Sequence, residues 1–320
     1  MNFKVPILLI AFNRPELVSK VIDSLRLIKP SKIYVACDGP NENKLNKEKV
    51  KLTRDTIITN IDWETKLKKK FSNINKGCKY AVSSSIDWFF DNEEAGIILE
   101  DDCLPHNDFF YFCESMLDKY KYDERVWSIT GSNFVGKNIG DGSYFFSRYN
   151  HCWGWATWKR CWNKYDLEMK LWPRYRDLRL LSSNFPDKKE YIFWKKFFDN
   201  FYKAGRPNTW DYQWFFSSLI NNGLTATPNK NLIENIGFGP DATHTKVGKS
   251  PVSVENFNKK SGILPIKHPS FINRSIDADK IVEIKNFSGP YFLSLLWFKK
   301  HCFRILKKIA SIFLKNIFIK

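Results

Sequence analysis

Three acidic residues in a row, Glu100-Asp101-Asp102, follow directly on the apolar run Gly96–Leu99. Adjacent carboxylates repel one another, and burying them unpaired raises their pKa values or destabilises the site. A hard divalent cation removes the conflict. Mn²⁺ or Mg²⁺ prefers oxygen ligands in octahedral geometry and uses few protein carboxylates alongside substrate phosphates. An acidic cluster at a strand end therefore suits a metal–diphosphate, with the ion neutralising charge on the departing group. The plain alternative is a solvated acidic turn. The apolar strand before the triplet and Cys103-Leu104-Pro105 after it count against that alternative.

A second candidate is Asp211, in Asn208-Thr209-Trp210-Asp211-Tyr212-Gln213-Trp214. A hydroxyl that attacks an electrophilic centre needs a carboxylate to take its proton. Asp211 opens a predicted helix over 211–222, with Thr209 as a cap and Gly223 as its stop, and the helix dipole favours its ionised form. The same position also suits a residue that only caps the helix. The block His151-Cys152-Trp153-Gly154-Trp155-Ala156-Thr157-Trp158 is dense in aromatic rings that suit sugar C–H faces. Trp155, Trp158 and Trp162 recur at helical spacing, which assigns most of these rings to the core and leaves Trp153 or Trp155 for an acceptor. In Gly237-Phe238-Gly239-Pro240-Asp241-Ala242-Thr243-His244-Thr245 the glycines permit hinge motion. As a lid, this loop would bring His244 to the metal or diphosphate and keep water out; as an ordinary surface loop, it would leave His244 a bystander.

The elements that must position these groups alternate in type. Val5–Phe12 is a continuous apolar run, as a strand covered on both faces requires. Pro15 starts a helix that Pro30 stops, and Ile33–Cys37 is a strand ended by Asp38-Gly39-Pro40. A helix over 47–60, a strand over 66–71, a helix over 80–90 and the strand before Glu100 complete a β-α-β-α order. That order predicts an α/β fold with a mostly parallel sheet, whose ligands bind at the carboxyl ends of the strands. Asn13, Arg14, Asp38 and the acidic triplet all fall at such ends. From about residue 126 the pattern predicts strands near 126–130, 144–146 and 224–227 and a helix over 191–202. Residues 246–290 are rich in Pro, Ser, Asn and Lys and read as a linker.

Pro6-Ile7-Leu8-Leu9-Ile10-Ala11-Phe12-Asn13-Arg14-Pro15, Asp38-Gly39-Pro40, Asn75-x-Gly77-Cys78 and Ile98-Leu99-Glu100-Asp101-Asp102-Cys103-Leu104-Pro105 together resemble the GT-A fold glycosyltransferases. The likeness is to bacterial family 2-like sugar transferases and, through Glu-Asp-Asp, to the inverting N-acetylglucosaminyltransferase I group. It covers about residues 3 to 245. The resemblance implies a nucleotide-sugar-binding half over 1–130 and an acceptor half over 131–245 of one GT-A domain. It implies a nucleotide diphosphate sugar as donor, a UDP-sugar being favoured, and a saccharide or lipid-linked acceptor. It also implies that Asp102 binds the metal and that Glu100 and Asp101 support the ribose or the metal's water shell. Phe12, Asn13, Arg14, Asp38, Asn75 and Gly77 would surround the nucleotide. The triplet departs from a strict D-x-D because its first member is Glu.

The chain has 51 Lys and Arg against 34 Asp and Glu, a net charge of +17. Such an excess points to a polyanionic partner: nucleic acid, an anionic membrane or phosphates. Eight of the basic residues lie in 285–320, where no Asp or Glu occurs, interleaved there with Leu, Ile and Phe. A basic amphipathic helix over 291–320 suits an anionic bilayer surface better than nucleic acid. The rival is a terminal helix docked on the enzyme's own core. Cys37, Cys78, Cys103, Cys113, Cys152, Cys161 and Cys302 are scattered, odd in number and without a C-x-x-C, which reads as reduced thiols. Lys4 and the apolar run after it lack a small-residue cleavage site, and no apolar run approaches a membrane span. The expected location is the cytoplasmic face of the membrane, in surface polysaccharide or lipooligosaccharide assembly. A nucleotidyltransferase on a related sheet is the alternative, but it would need a Gly/Arg/Lys-rich phosphate loop after the first strand, where this chain has Asn13-Arg14-Pro15.

Overall fold

The computed structural model describes residues 3–205, 207–238 and 250–287. In chain order its first part is β1 (Ile7–Ala11), α1 (Pro15–Ile28), β2 (Lys32–Cys37), α2 (Lys44–Asn60), β3 (Lys66–Phe71), α3 (Gly77–Phe90) and β4 (Ala95–Glu100). These follow the expected β-α-β-α order closely. Every residue of β1 is buried, as strand residues covered on both faces must be. β3, Lys66-Leu67-Lys68-Lys69-Lys70-Phe71, is half exposed and forms an edge of the sheet, where charged side chains discourage pairing with another chain.

The second part contains β5 (Cys103–Pro105), α4 (Asn107–Lys119), β6 (Val126–Thr130), β7 (Tyr144–Ser147) and β8 (Trp155–Trp158). The short helices α5 (Lys159–Trp162), α6 (Trp172–Asp177) and α7 (Leu181–Asn184) come next. Then follow α8 (Lys188–Lys203), α9 (Asp211–Ile220), β9 (Leu224–Pro228), β10 (Ile233–Asn235) and α10 (Ile276–Val282). Among the described residues one eight-stranded sheet runs β3-β2-β1-β4-β8-β6-β9-β7. β1 to β4 are mutually parallel, β8 is antiparallel to both β4 and β6, and β7 is antiparallel to β9. The architecture is thus α/β and mostly parallel where the acidic triplet sits. β5 and β10 form a small second sheet immediately beyond the triplet.

Three expectations change. Trp155 and Trp158 lie on a strand, although their spacing with Trp162 matches a helix; the helix begins only at Lys159. Helix α4 was not anticipated, yet its start carries a signal, because His106 caps it by accepting the Asp108 N–H. The described part of 246–290 does not behave as a linker. Ala278 and Val282 join a second hydrophobic cluster with Trp172, Trp194 and Phe215. Arg148 holds this segment through ion pairs to Glu283 at 3.4 Å and Asp279 at 3.6 Å, and it also pairs with Glu190 of α8 at 3.1 Å. All four of these charged residues are buried. The basic segment 291–320 lies outside the described residues, as does His244. No helix among the described residues is long and apolar enough to cross a membrane.

Candidate active site

The ends of β1 and β4 are tied together by Asp101. Its carboxylate accepts the Phe12 N–H at 3.0 Å and faces Arg14 at 3.3 Å. Arg14, at the start of α1, also donates to Asp102 at 2.6 Å. Burial opposes the guanidinium charge, but Asp101 and Asp102 hold the Arg14 pKa above its ordinary value. The backbone after β10 closes over the triplet, with the Ile236 N–H donating to the Asp102 carbonyl at 2.8 Å. Gly237 lies so close that an added Cβ would stand 2.3 Å from Asp102 Oδ2.

Glu100 differs from its neighbours. Among the described residues its carboxylate has no hydrogen-bond or ion-pair partner. Burial, then the charges of Asp102, Asp101 and Asp211, push its pKa up, against the opposing pull of Arg14. Asp101 is likewise raised, by burial first, with Arg14 and the Phe12 N–H working against the shift. A group of acids held this close, with one arginine between them, favours a proton or a further cation.

A cavity of about 210 Å³ opens at this edge, lined by Phe12, Arg14, Asp38, Asn75, Gly77, Cys78, Glu100, Asp101 and Asn208. It gathers most of the expected nucleotide-binding residues; Asn13 is not in its lining. Asp38 also shapes the wall of this cleft. Its carboxylate accepts the backbone N–H groups of Gly39 at 2.8 Å, Lys76 at 3.0 Å and Gly77 at 3.1 Å, so it organises the loop that starts α3. Asn75 donates to the Gly39 carbonyl at 2.8 Å and braces the same loop. Gly77 has φ +72°, a conformation that side chains disfavour, and packs on Asn208. Asn208 in turn accepts the Lys79 N–H at 2.9 Å.

A second cavity, of about 430 Å³, is lined by aromatic rings: Phe134, Tyr149, His151, Trp153, Tyr212, Phe215 and Phe287, with Asp211 among them. Asp211 is the first residue of α9, and the Thr209 hydroxyl donates to its carboxylate. Thr209 thus does not cap the helix, and Trp210 occupies the cap position without a side-chain bond. Trp153 lines this cavity. Trp155 does not: it is 1% exposed and stacks on Trp210, so it belongs to the core. His151 packs on Phe134, and burial lowers its pKa to about 3, so it stays neutral and takes no part as a charged group.

The two cavities share one electrostatic field. Cys78 in the first and Cys152 in the second are both raised, by burial first and then by Glu100 and Asp211 acting together. Tyr149, Tyr212 and Phe287 were not singled out in the sequence. They converge from distant segments, and nothing in their local patterns marks them as one pocket.

No family model matches the sequence. A search of curated proteins found no match. Among solved structures, HddC from Yersinia pseudotuberculosis complexed with GMP-PN aligns at 13% identity over 49% of this chain and 77% of its own, with a TM-score of 0.33. A cytidylyltransferase from Leptospira borgpetersenii aligns at 12% identity over 52% of this chain and 64% of its own, with a TM-score of 0.32. A 4-diphosphocytidyl-2C-methyl-D-erythritol synthase from Anaerococcus prevotii aligns at 9% identity over 53% of this chain and 76% of its own, with a TM-score of 0.31. Likeness at this level says nothing of activity, and the α/β class rests on the strand order itself.

Proposed function

We propose that the chain is a glycosyltransferase that moves a sugar from a nucleotide diphosphate donor, a UDP-sugar by preference, to a saccharide or lipid-linked acceptor. The observation behind this reading is the pairing of cavities. A carboxylate-edged cleft at the carboxyl end of parallel strands lies within electrostatic reach of an aromatic pocket that contains a second carboxylate, Asp211, whose charge acts on Glu100. Cleft and pocket match a charged leaving group on one side and a sugar face on the other.

In this reading the nucleotide occupies the cleft beside Asn75, Gly77 and Asn208, and Arg14 faces the diphosphate. The acceptor sugar lies on Trp153 and its neighbours. Asp211 takes the proton of the acceptor hydroxyl as its oxygen bonds to the anomeric carbon. The bond from that carbon to the phosphate oxygen breaks, and the electron pair leaves with the diphosphate. Attack from the side opposite the leaving group inverts the configuration. The aromatic walls exclude water and so limit hydrolysis.

The donor set fits a divalent ion. Asp102 and Glu100 would hold Mn²⁺ or Mg²⁺, which when bound supplies charge neutralisation at the diphosphate. Among the described residues no three His, Cys, Asp or Glu side chains form a complete site. Phosphate oxygens would therefore supply much of the coordination, as is usual for Mg²⁺ with nucleotides.

The test is a release assay over a panel of nucleotide sugars, with and without Mn²⁺, for the wild type and Asp102→Ala. Metal-stimulated release of nucleoside diphosphate by the wild type alone supports the proposal. Pyrophosphate formed from a nucleoside triphosphate and a sugar phosphate, with no release from nucleotide sugars, would establish the nucleotidyltransferase reading instead.

A further inference from the structure

A third cavity, of about 370 Å³, lies beside the aromatic pocket and has a different chemistry. Its lining includes Lys137, Lys230, Lys259 and Lys260, several asparagines and one carboxylate, that of exposed Glu255. Among the described residues none of the four ammonium groups is paired with a carboxylate. We propose that this groove holds the anionic part of the acceptor, a phosphate or carboxylate borne by a saccharide whose reacting sugar sits beside Asp211. The proposal rests on the glycosyltransferase reading.

The groove is held in shape. The strap that presents Lys259 and Lys260 is fastened by two buried side chains. His106 Nδ1 accepts the Asp108 N–H at 3.0 Å, which leaves Nε2 to donate to the Lys259 carbonyl at 2.7 Å. Asp108 accepts the Ser261 N–H at 2.8 Å and its hydroxyl at 2.7 Å. The strap's position therefore does not depend on a ligand, and ordering costs on binding are small.

The groove and the aromatic pocket share an edge. Asn133 lines the groove, Phe134 lines the pocket, and Pro251 touches both. The partition is braced from each side. The Asn133 N–H donates to Asn231 at 2.9 Å, and Lys285 donates to the Val135 carbonyl at 2.9 Å. A ligand that crosses this partition meets aromatic faces first and ammonium groups next. A neutral glycan gains little from four clustered lysines, whereas an anion is attracted at a range that salt shortens. One chemistry, an acid on a saccharide, has two sources: a sugar-borne carboxylate or phosphate, and the diphosphate of a lipid carrier.

The experiment measures calorimetric binding of three probes to the full chain. These are a neutral oligosaccharide, a hexuronate-containing one of equal length, and a saccharide on an alkyl diphosphate. The wild type is compared with K230E/K259E/K260E and with a charge-matched control, K20E/K44E/K51E. An anionic probe is expected to bind at least tenfold more tightly than the neutral one at low salt. The groove variant should lose that preference, and the control should keep it. The winning anionic probe identifies the source. Equal binding of all three probes by the wild type, or a preference that both triple variants keep or lose alike, overturns the proposal. Failure of the transferase reading appears separately, as no nucleoside diphosphate release with any donor. An anionic preference that survives that failure leaves an anion groove with no acceptor role.

Discussion

Arg14 Nη1 lies 2.6 Å from Asp102 and 3.3 Å from Asp101, so one guanidinium serves two members of the acidic triplet while Glu100 goes without. Arg14→Met is therefore expected to remove the built-in counter-charge. Donor KM should rise at least tenfold, since hydrogen bonds between charged groups contribute about 1.5–3 kcal/mol. Arg14→Lys should recover only part of this, because a more strongly hydrated ammonium on a flexible stem holds the place of Nη1 between the two carboxylates less firmly. Steady-state kinetics on both variants check the claim, and an unchanged donor KM in Arg14→Met would remove Arg14 from the donor site.

Glu100 gives a pH signature. Burial and then the charges of Asp102, Asp101 and Asp211 raise its pKa to about 8, so the folded chain retains a proton that the unfolded chain releases. Its stabilising contribution is full below the ordinary carboxylate range and is lost as pH rises through the folded value. In metal-free protein the wild-type melting temperature should decline from pH 5 to pH 8 more steeply than that of Glu100→Gln. Affinity for Mn²⁺ should rise over the same range, because the ion requires the ionised carboxylate. Thermal melts in chelator and Mn²⁺ titrations test both slopes, and parallel melting profiles for the two proteins would contradict the first.

Asp211→Asn keeps the Thr209 contact available while removing the proton acceptor. Donor binding should persist, and transfer should fall about 10²–10⁴-fold, the range for a lost general base. Near-normal transfer would dismiss Asp211 from that role. His151 is neutral over the working range, so the wild-type profile should show no limb from its titration.

The two tryptophans separate binding from folding. Trp153→Ala is expected to raise acceptor KM with a small stability cost. Trp155→Ala should cost about 3–5 kcal/mol through an unfilled core cavity. Chemical denaturation of both variants alongside acceptor kinetics distinguishes them, and equal stability losses would show that Trp153 is a core residue too.

Gly237→Ala places a methyl group against Asp102 Oδ2. Relieving that overlap should cost about 1–3 kcal/mol and displace the carboxylate. Metal-stimulated activity should fall more than stability does. A fully active variant would mean that the loop after β10 is free to retreat.

The parallel half of the fold was legible because its strands are unbroken apolar runs between Pro- and Gly-marked turns, which is what burial on both faces demands. The acidic triplet was legible for the same reason, as charge ending such a run. The aromatic half was not. Trp155, Trp158 and Trp162 satisfy a helical period by coincidence, and pairing of β8 with both β4 and β6 overrode it. The segment ending at Phe287 looked like a linker because its apolar stripe, Ala278, Ile281 and Val282, is only one helical turn long and its other anchors, Asp279 and Glu283, are charges that meet a buried arginine. Asp38 was identified as important, but its carboxylate serves backbone N–H groups that only the folded loop brings together.

Lys285, Asn286 and Phe287 wall the aromatic pocket, yet among the described residues they are made after every strand of the sheet. A nascent chain therefore carries every lining residue of the acidic cleft before the last wall of the aromatic pocket is made. The pair from Arg148 to Glu283 ties that late segment back to the end of β7, so a chain cut short before Glu283 would keep the cleft's lining and lack the pocket's last wall.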